Sequence, residues 1–383
     1  MTILHPEAIS TSPADRHKLN FYGLAVAPEI VQVRARADAL LDDYQRRVPG
    51  SALAKAWLDD AAAECRGTIR RLLFPALAGE PLIELFAGTS RALEVALAHS
   101  GRPETIVLSP FEHPSTVAVA RWFARIAGAR VVELPFDPCM CEDFRERTRR
   151  RLTSDIARAA RGETTLIISD IHYMTGLAIP VEPMLRALAG VPRLRVIVDG
   201  AHAAGNDHLP AGASSCDAYV FSAHKWLLAP MPCGVVVARA RETADDSAYD
   251  AWGITLPRTT ANVPMLAGFL GALRVIDDAG LEMLHAHSRG LRAHFIERTR
   301  GRFAIVGETS GLEQTLMVAI RPTASCWRFD AAGLARHLES RAVHALVLPM
   351  ADGEPWVRVA FPPFLNRGHV DVLCNVFENA VQA

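Results

Sequence analysis

The chain has 383 residues, half of them hydrophobic, and a formal net charge of −1. That length allows a large and a small domain with a sizeable core, and the near-neutral charge gives no electrostatic case for a nucleic-acid or anionic-membrane partner. No apolar run is long and uncharged enough to span a bilayer, no basic-then-apolar leader opens the sequence, and the seven cysteines have neither CxxC nor zinc spacing, so a reduced, cytoplasmic protein is expected.

In chain order, the first thirty residues include LNFYGLAVAPEI, too apolar to be left in water and expected to pack on the folded body. Strands are predicted at ETIVLSP (104–110), ARVVELPF (129–136), TTLIISDI (164–171), LRVIVDGA (194–201), DAYVFSA (217–223) and GVVVARA (234–240). Helical patterns such as SRALEVALAH, STVAVARWFARIAG and VEPMLRALAG lie between several of them. Short, continuously apolar strands alternating with helices argue for a mainly parallel sheet covered on both faces. The basic stretch FRERTRRRLTSDIARAARGE has helical spacing with acidic interruptions and reads as a solvated helix face. From about residue 264 the pattern changes to one or two long helices, then strands at QTLMVAIRP, HALVLPM and PWVRVAF, with helices around DAAGLARHLES and at the end. That is a smaller α+β unit. The expected division is an N-terminal segment at 1–30, a large domain at 31–264, and a linking helix with a small domain at 265–383.

Four stretches carry candidate chemistry. VIVDGAH puts Asp199 at the carboxyl end of a strand, where ligands bind in open α/β sheets. A turn aspartate or a helix N-cap reads the same in isolation. FSAHKW places Lys225 after the next strand, beside Ser222 and His224. A desolvated lysine has a lowered pKa and can attack a carbonyl, and a hydroxyl and an imidazole nearby suit a phosphate. AGTSRA supplies Gly88, Thr89 and Ser90 at the start of an amphipathic helix, whose N-terminus favours an anion. FEHPST puts His113 just after a strand, where an imidazole can stack on a planar ring. No P-loop and no GxGxxG follows a strand. His285 and His287 are two apart on a predicted helix and do not share a face, so no metal site is expected. A lysine, a carboxylate and a phosphate site together fit one cofactor, pyridoxal 5'-phosphate.

The set resembles the class V aminotransferase-like branch of fold-type I pyridoxal phosphate enzymes, whose members include cysteine desulfurases, selenocysteine lyases, kynureninases and isopenicillin N epimerase-like proteins. The resemblance runs over nearly the whole chain: NFYGLAVAPEIV, AGTSRA, EHPS, SDIHYMTGLAIPV, VDGAH, FSAHKW, TTANVPMLAGFLGAL and PWVRVAFPPFLN follow in the family's order. It implies a fold-type I α/β architecture. Lys225 would form the Schiff base and move the α-proton, Asp199 would pair with the pyridine nitrogen, and His113 would stack on the ring. His202, with Tyr173 or His172, would face the phenolic oxygen. Gly88, Thr89, Ser90, Ser222 and His224 would hold the phosphate, with Thr260 reaching in from the other subunit of a homodimer. Arg358 would clamp the substrate carboxylate, with Asn20 and Tyr22 of the N-terminal segment near the substrate.

The sequence also departs from the family. Desulfurases carry a cysteine on a loop about fifteen residues before the arginine, and here that stretch is RAVHALVLPMADGEP, while Cys326 and Cys374 lie elsewhere. The expectation is therefore a β-eliminating C–S lyase on a cysteine-derived conjugate in bacterial secondary metabolism. Aminotransfer, decarboxylative deamination and epimerisation are the alternatives, a desulfurase is disfavoured, and a non-catalytic binding relative is set aside because Lys225 and Asp199 are intact.

Overall fold

The computed structural model describes residues 5, 9–11, 19–22, 29–135, 144–206, 211–238, 262–323 and 326–382. Thr260, expected to reach the phosphate, and the cysteines Cys139 and Cys141 lie outside the described residues.

After the short β1 (Leu19–Asn20), helices α1 (Val31–Gln45) and α2 (Ala52–Leu73) precede β2 (Leu82–Phe86). There follow α3 (Thr89–His99), β3 (Thr105–Leu108), α4 (Pro114–Ala127), β4 (Arg130–Glu133), α5 (Phe144–Ala159), β5 (Thr164–Ser169), β6 (Leu177–Ala178), α6 (Val181–Leu188), β7 (Leu194–Asp199), β8 (Ala218–Ser222) and β9 (Gly234–Ala238). A seven-stranded sheet has the order β2-β9-β8-β7-β5-β3-β4. Its strands are parallel except β9, which is antiparallel to both β8 and β2. Every residue of β5, β8 and β9 is buried. That is why these segments read as continuous apolar runs rather than alternating ones: helices cover both faces.

The helices take their limits from local chemistry. In α4, His113 is the N-cap, Pro114 opens the first turn and Gly128 closes the helix in the left-handed conformation. In α2, Ser51 accepts a hydrogen bond from the Ala54 N–H. The predicted long helical stretch after residue 264 is two helices, α7 (Val263–Ala279) and α8 (Leu281–Thr299), broken at Gly280. α7 is buried on most of its surface, consistent with its apolar sequence.

A second, antiparallel sheet has the order β10-β12-β15-β14, from β10 (Phe303–Ile305), β12 (Met317–Pro322), β14 (Leu346–Leu348) and β15 (Trp356–Ala360). β11 (Glu313–Gln314) pairs with β6, while α9 (Ala331–Glu339) and the closing α10 (Arg367–Glu378) flank the second sheet's segments. β1 runs parallel to β13 (Val343–His344). Phe21 continues the contact: its N–H donates to the His344 carbonyl at 2.7 Å and its carbonyl accepts from Ala360 N–H at 3.0 Å. The Phe21 ring is fully buried, a burial that stabilises by roughly 1.5–3 kcal/mol. No helix among the described residues is long and apolar enough to cross a membrane.

Candidate active site

The sheet register brings the chemistry to one edge. Ser169, Asp199 and Val220 are neighbours across β5, β7 and β8, and Phe86, Gly234 and Ser222 are neighbours across β2, β9 and β8. The carboxyl ends of five parallel strands and the amino end of β9 therefore surround a single cavity of about 410 Å³. This is the edge at which open α/β sheets bind ligands.

Asp199 ends β7 and is buried. Its Oδ1 accepts from the Ala201 N–H at 2.9 Å and its Oδ2 from Thr116 Oγ1 at 2.7 Å. Two fixed donors hold the carboxylate in one orientation at the floor of the cavity. Behind it, Glu112 is buried and accepts from Ser109 Oγ at 2.6 Å, Ser169 N–H at 2.7 Å and Ser169 Oγ at 2.9 Å. Burial, then the charge of Asp199, push the Glu112 carboxyl up to about 8.

Lys225 follows β8, and its Nζ lies 3.1 Å from His202 Nε2. Burial brings the amine down to about 8; Asp199 opposes the shift and Arg358 adds to it. Burial, then the charges of Lys225 and Arg358, hold His202 well below the ordinary histidine range. His202 is thus a neutral acceptor for the lysine. With Nε2 accepting, the proton sits on the buried Nδ1, a donor without a partner among the described residues.

The anion end is built from backbone. Gly88 has φ +100° and caps α3 without any side-chain acceptor, so the first N–H groups of the helix stay open. Thr89 Oγ1 and Ser222 Oγ are in contact across the same space. A Cβ on Gly234 would stand 2.3 Å from the Gly88 carbonyl carbon and 2.6 Å from Thr89 N, so only glycine lets β9 lie against this turn. His224 is fixed beside it, with Nδ1 2.8 Å from the Cys233 carbonyl oxygen.

On the other side, His113 and Tyr173 meet edge-on, with ring centroids 5.0 Å apart at 74°. Arg358, on β15, is buried. Its Nη1 donates to the Tyr173 carbonyl and its Nη2 to the Tyr22 carbonyl at 2.7 Å. Its Nε is buried without a partner among the described residues. Burial lowers the guanidinium to about 10, so it remains charged at neutral pH.

Lys225, Asp199, His113, Gly88, Thr89, Ser90, Tyr173, His202, Ser222, His224, Arg358 and Tyr22 all line this cavity. Two of the expected site residues, His172 and Asn20, are not on its wall. His172 is buried against Phe111, ring centroids 5.4 Å apart, with Nδ1 3.0 Å from Thr175 Oγ1. Asn20 is not among the lining residues and accepts from the Tyr22 N–H at 3.1 Å. His285 and His287 bond the backbone carbonyls of Gly205 and Leu365. Sequence reasoning missed Thr116, Ser169 and Glu112, and did not single out Leu346 and Leu348, which also line the cavity. A hydroxyl two or three residues into the helix after His113 is the one signal that pointed to Thr116.

These residues fit pyridoxal 5'-phosphate. The cavity offers an open helix N-terminus and hydroxyls for a phosphate, an anchored carboxylate for a ring nitrogen, and a low-pKa amine between them. When bound, the cofactor supplies an electron sink for breaking bonds at a substrate α-carbon.

The sequence profile of the family described as aminotransferase class-V matches residues 27–302. A probable cysteine desulfurase of Halalkalibacterium halodurans is 24% identical over 286 residues, covering 67% of each chain. A cysteine desulfurase of Klebsiella pneumoniae is 25% identical over 223 residues, covering 53% of this chain and 52% of that one. Isopenicillin N epimerase of Streptomyces clavuligerus is 32% identical over 181 residues, 45% of this chain and 41% of that one. Among solved structures, the complex of the cystine C–S lyase C-DES with its product cysteine persulfide superposes with a TM-score of 0.77 at 16% identity, covering 96% of this chain and 99% of that one. The cysteine desulfurase CsdA of Escherichia coli does so with a TM-score of 0.73 at 17% identity, covering 98% of each. At such identities the structures establish the fold, fold type I.

The sequence-based expectation of a C–S lyase on a cysteine conjugate, with aminotransfer, deamination and epimerisation as alternatives and desulfuration disfavoured, is corrected by these relatives, which are chiefly cysteine desulfurases. The expectation rested on the missing cysteine in 341–355, and one absent residue does not outweigh the chain's likeness to cysteine desulfurases. The chain belongs to the aminotransferase class-V family, and it is a pyridoxal 5'-phosphate-dependent enzyme.

Proposed function

We propose that this protein removes sulfur from cysteine, as the desulfurases it resembles are named for doing. The observation that carries the reading is the Lys225 amine, held 3.1 Å from a neutral His202 in one cavity with Asp199 and Arg358. The aligned stretches span about half to two thirds of the relatives' length, so the activity rests on the site together with the resemblance.

Each residue has a task. Arg358 binds the substrate carboxylate through donors not already given to Tyr22 and Tyr173. Lys225 takes the proton from the α-carbon and returns one. His202 accepts a hydrogen bond from the Lys225 amine and steadies it. The substrate sulfur passes to a thiolate as a persulfide; the C–S bond breaks with its electron pair left on the β-carbon, which is protonated. Cysteine and a thiol thus give alanine and a persulfide, and the thiol's oxidation balances the carbon's reduction. No cysteine lines the cavity among the described residues, and the test below supplies a thiol from the medium.

The reading includes a homodimer, supported by the resemblance of TTAN to a segment donated across such an interface, and a reducing, cytoplasmic setting, supported by the free Cys65, Cys216, Cys233, Cys326 and Cys374. The test is L-cysteine with dithiothreitol and the holoenzyme. Alanine and sulfide in equal amounts, lost in Lys225→Ala, support the reading. Pyruvate and ammonia without alanine overturn it.

A further inference from the structure

We propose, resting on the reading above, that the site selects amino acids with uncharged side chains, and that Leu346 is the residue that enforces this.

The argument begins with strand register. Leu346 lies directly across from Arg358 in the antiparallel pair of β14 and β15. Side chains at directly opposed positions share a face, with Cβ atoms about 4.5–5.5 Å apart. Both residues line the cavity, and so does Leu348, two residues along on the same face. Leu348 is itself opposite Trp356. Behind them stand Val306, Ala319, Met174 and Met350. An amino acid whose carboxylate sits on Arg358 therefore has an aliphatic wall beside it, backed by more apolar side chains.

The charges point the same way. Among the described residues that line the cavity, the cationic side chains are Lys225 and Arg358. Burial disfavours the charged forms of His113 and His224 and holds His202 well below the ordinary histidine range. Lys225 serves the α-carbon. Arg358 already satisfies two backbone carbonyls and keeps donors for one carboxylate. A second anionic group, such as a side-chain carboxylate or a sulfinate, would be desolvated against Leu346 and Leu348 with no further cation among the described lining residues to meet it. A buried charge without a partner is strongly disfavoured, so the wall acts by rejecting competitors rather than by gripping the substrate. A thiol meets no such penalty.

The test is a visible-absorption titration of the holoenzyme with amino acids of similar size. L-2-Aminobutyrate is the uncharged probe, and L-aspartate and L-cysteine sulfinate are the anionic ones. The wild type is expected to bind 2-aminobutyrate at least about tenfold more tightly than either anion. Leu346→Arg should shift that ratio toward the anions by about tenfold or more. Equal or tighter binding of aspartate or the sulfinate by the wild type overturns the inference, whether or not the arginine variant folds. So does a folded Leu346→Arg enzyme whose ratio is unchanged. An enzyme that prefers 2-aminobutyrate yet forms no alanine from cysteine overturns the proposed reaction and supports the selectivity. No absorption band after cofactor is added overturns both.

Discussion

Gly234 lies so close to Gly88 that a single methyl group on Gly234 would stand 2.3 Å from the Gly88 carbonyl carbon. The contact clamps the turn that opens α3 against the first residue of β9. Gly234→Ala must move one strand or the other, at a cost of roughly 1–3 kcal/mol in stability. The displaced N–H groups are those facing the anion, so cofactor affinity should fall by about tenfold or more. Thermal denaturation of the apoprotein and titration with pyridoxal phosphate measure the two effects separately.

Lys225 should make the capture of cofactor pH-dependent. Its amine, lowered from the ordinary lysine value to about 8 by burial, is mostly protonated at pH 6.5 and mostly neutral at pH 9. Only the neutral amine attacks an aldehyde. The rate at which apoprotein regains its visible band should rise across that interval with a midpoint near the amine's own value, and Lys225→Ala should form no band that borohydride abolishes. A flat rate from pH 6.5 to 9 would contradict the buried-amine account.

Glu112 should make the apoprotein's stability fall as pH rises. Its carboxyl is raised from 4.5 to about 8, chiefly by burial and then by Asp199. The folded state therefore holds a proton that the unfolded state has released between those values. The favourable term is complete below about pH 4.5 and is lost as pH climbs toward 8. Glu112→Gln is neutral throughout. Relative to the wild type, its melting temperature should gain a few degrees on going from pH 5 to pH 8. An unchanging difference would show that the carboxyl titrates as an ordinary one.

Arg358 should tolerate lysine poorly. Its guanidinium spans the carbonyls of Tyr22 and Tyr173, and a single ammonium cannot hold both and a carboxylate as well. Arg358→Lys should lower kcat/KM by about 10- to 100-fold, mostly through KM. The variant should also be cut faster by protease near residue 20, because one of the bonds that docks Tyr22 is gone.

Much of this site was legible along the chain. VDGAH and FSAHKW each place polar residues at the end of an apolar strand, and a strand end in a mainly parallel sheet is where such residues converge. The choice between His172 and Tyr173 was not legible, because the two sit side by side at the start of a turn and the sequence does not say which one faces the ligand. The structure turns Tyr173 to the cavity and His172 to the core. Glu112 could not be read either. Its partners Ser109 and Ser169 end different strands, and only the β3–β5 pairing brings them together. The reversed direction of β9 was equally hidden, since an apolar run of valines reads the same both ways. Leu346 and Leu348 read only as part of the predicted strand HALVLPM until the register set one of them across from Arg358.

The strand order also has a consequence for the growing chain. β2 has its sheet partner in β9, some 150 residues later. On the ribosome, the turn at Gly88 is made early but has nothing to lean on until Gly234 has emerged. Asp199 and Lys225 are synthesised before that moment, so the end of the site that would hold the ring precedes the end that would hold the phosphate. A nascent chain halted short of β9 would expose an unpaired strand edge and half a binding site, and it should capture cofactor only after the last central strand slides between β2 and β8.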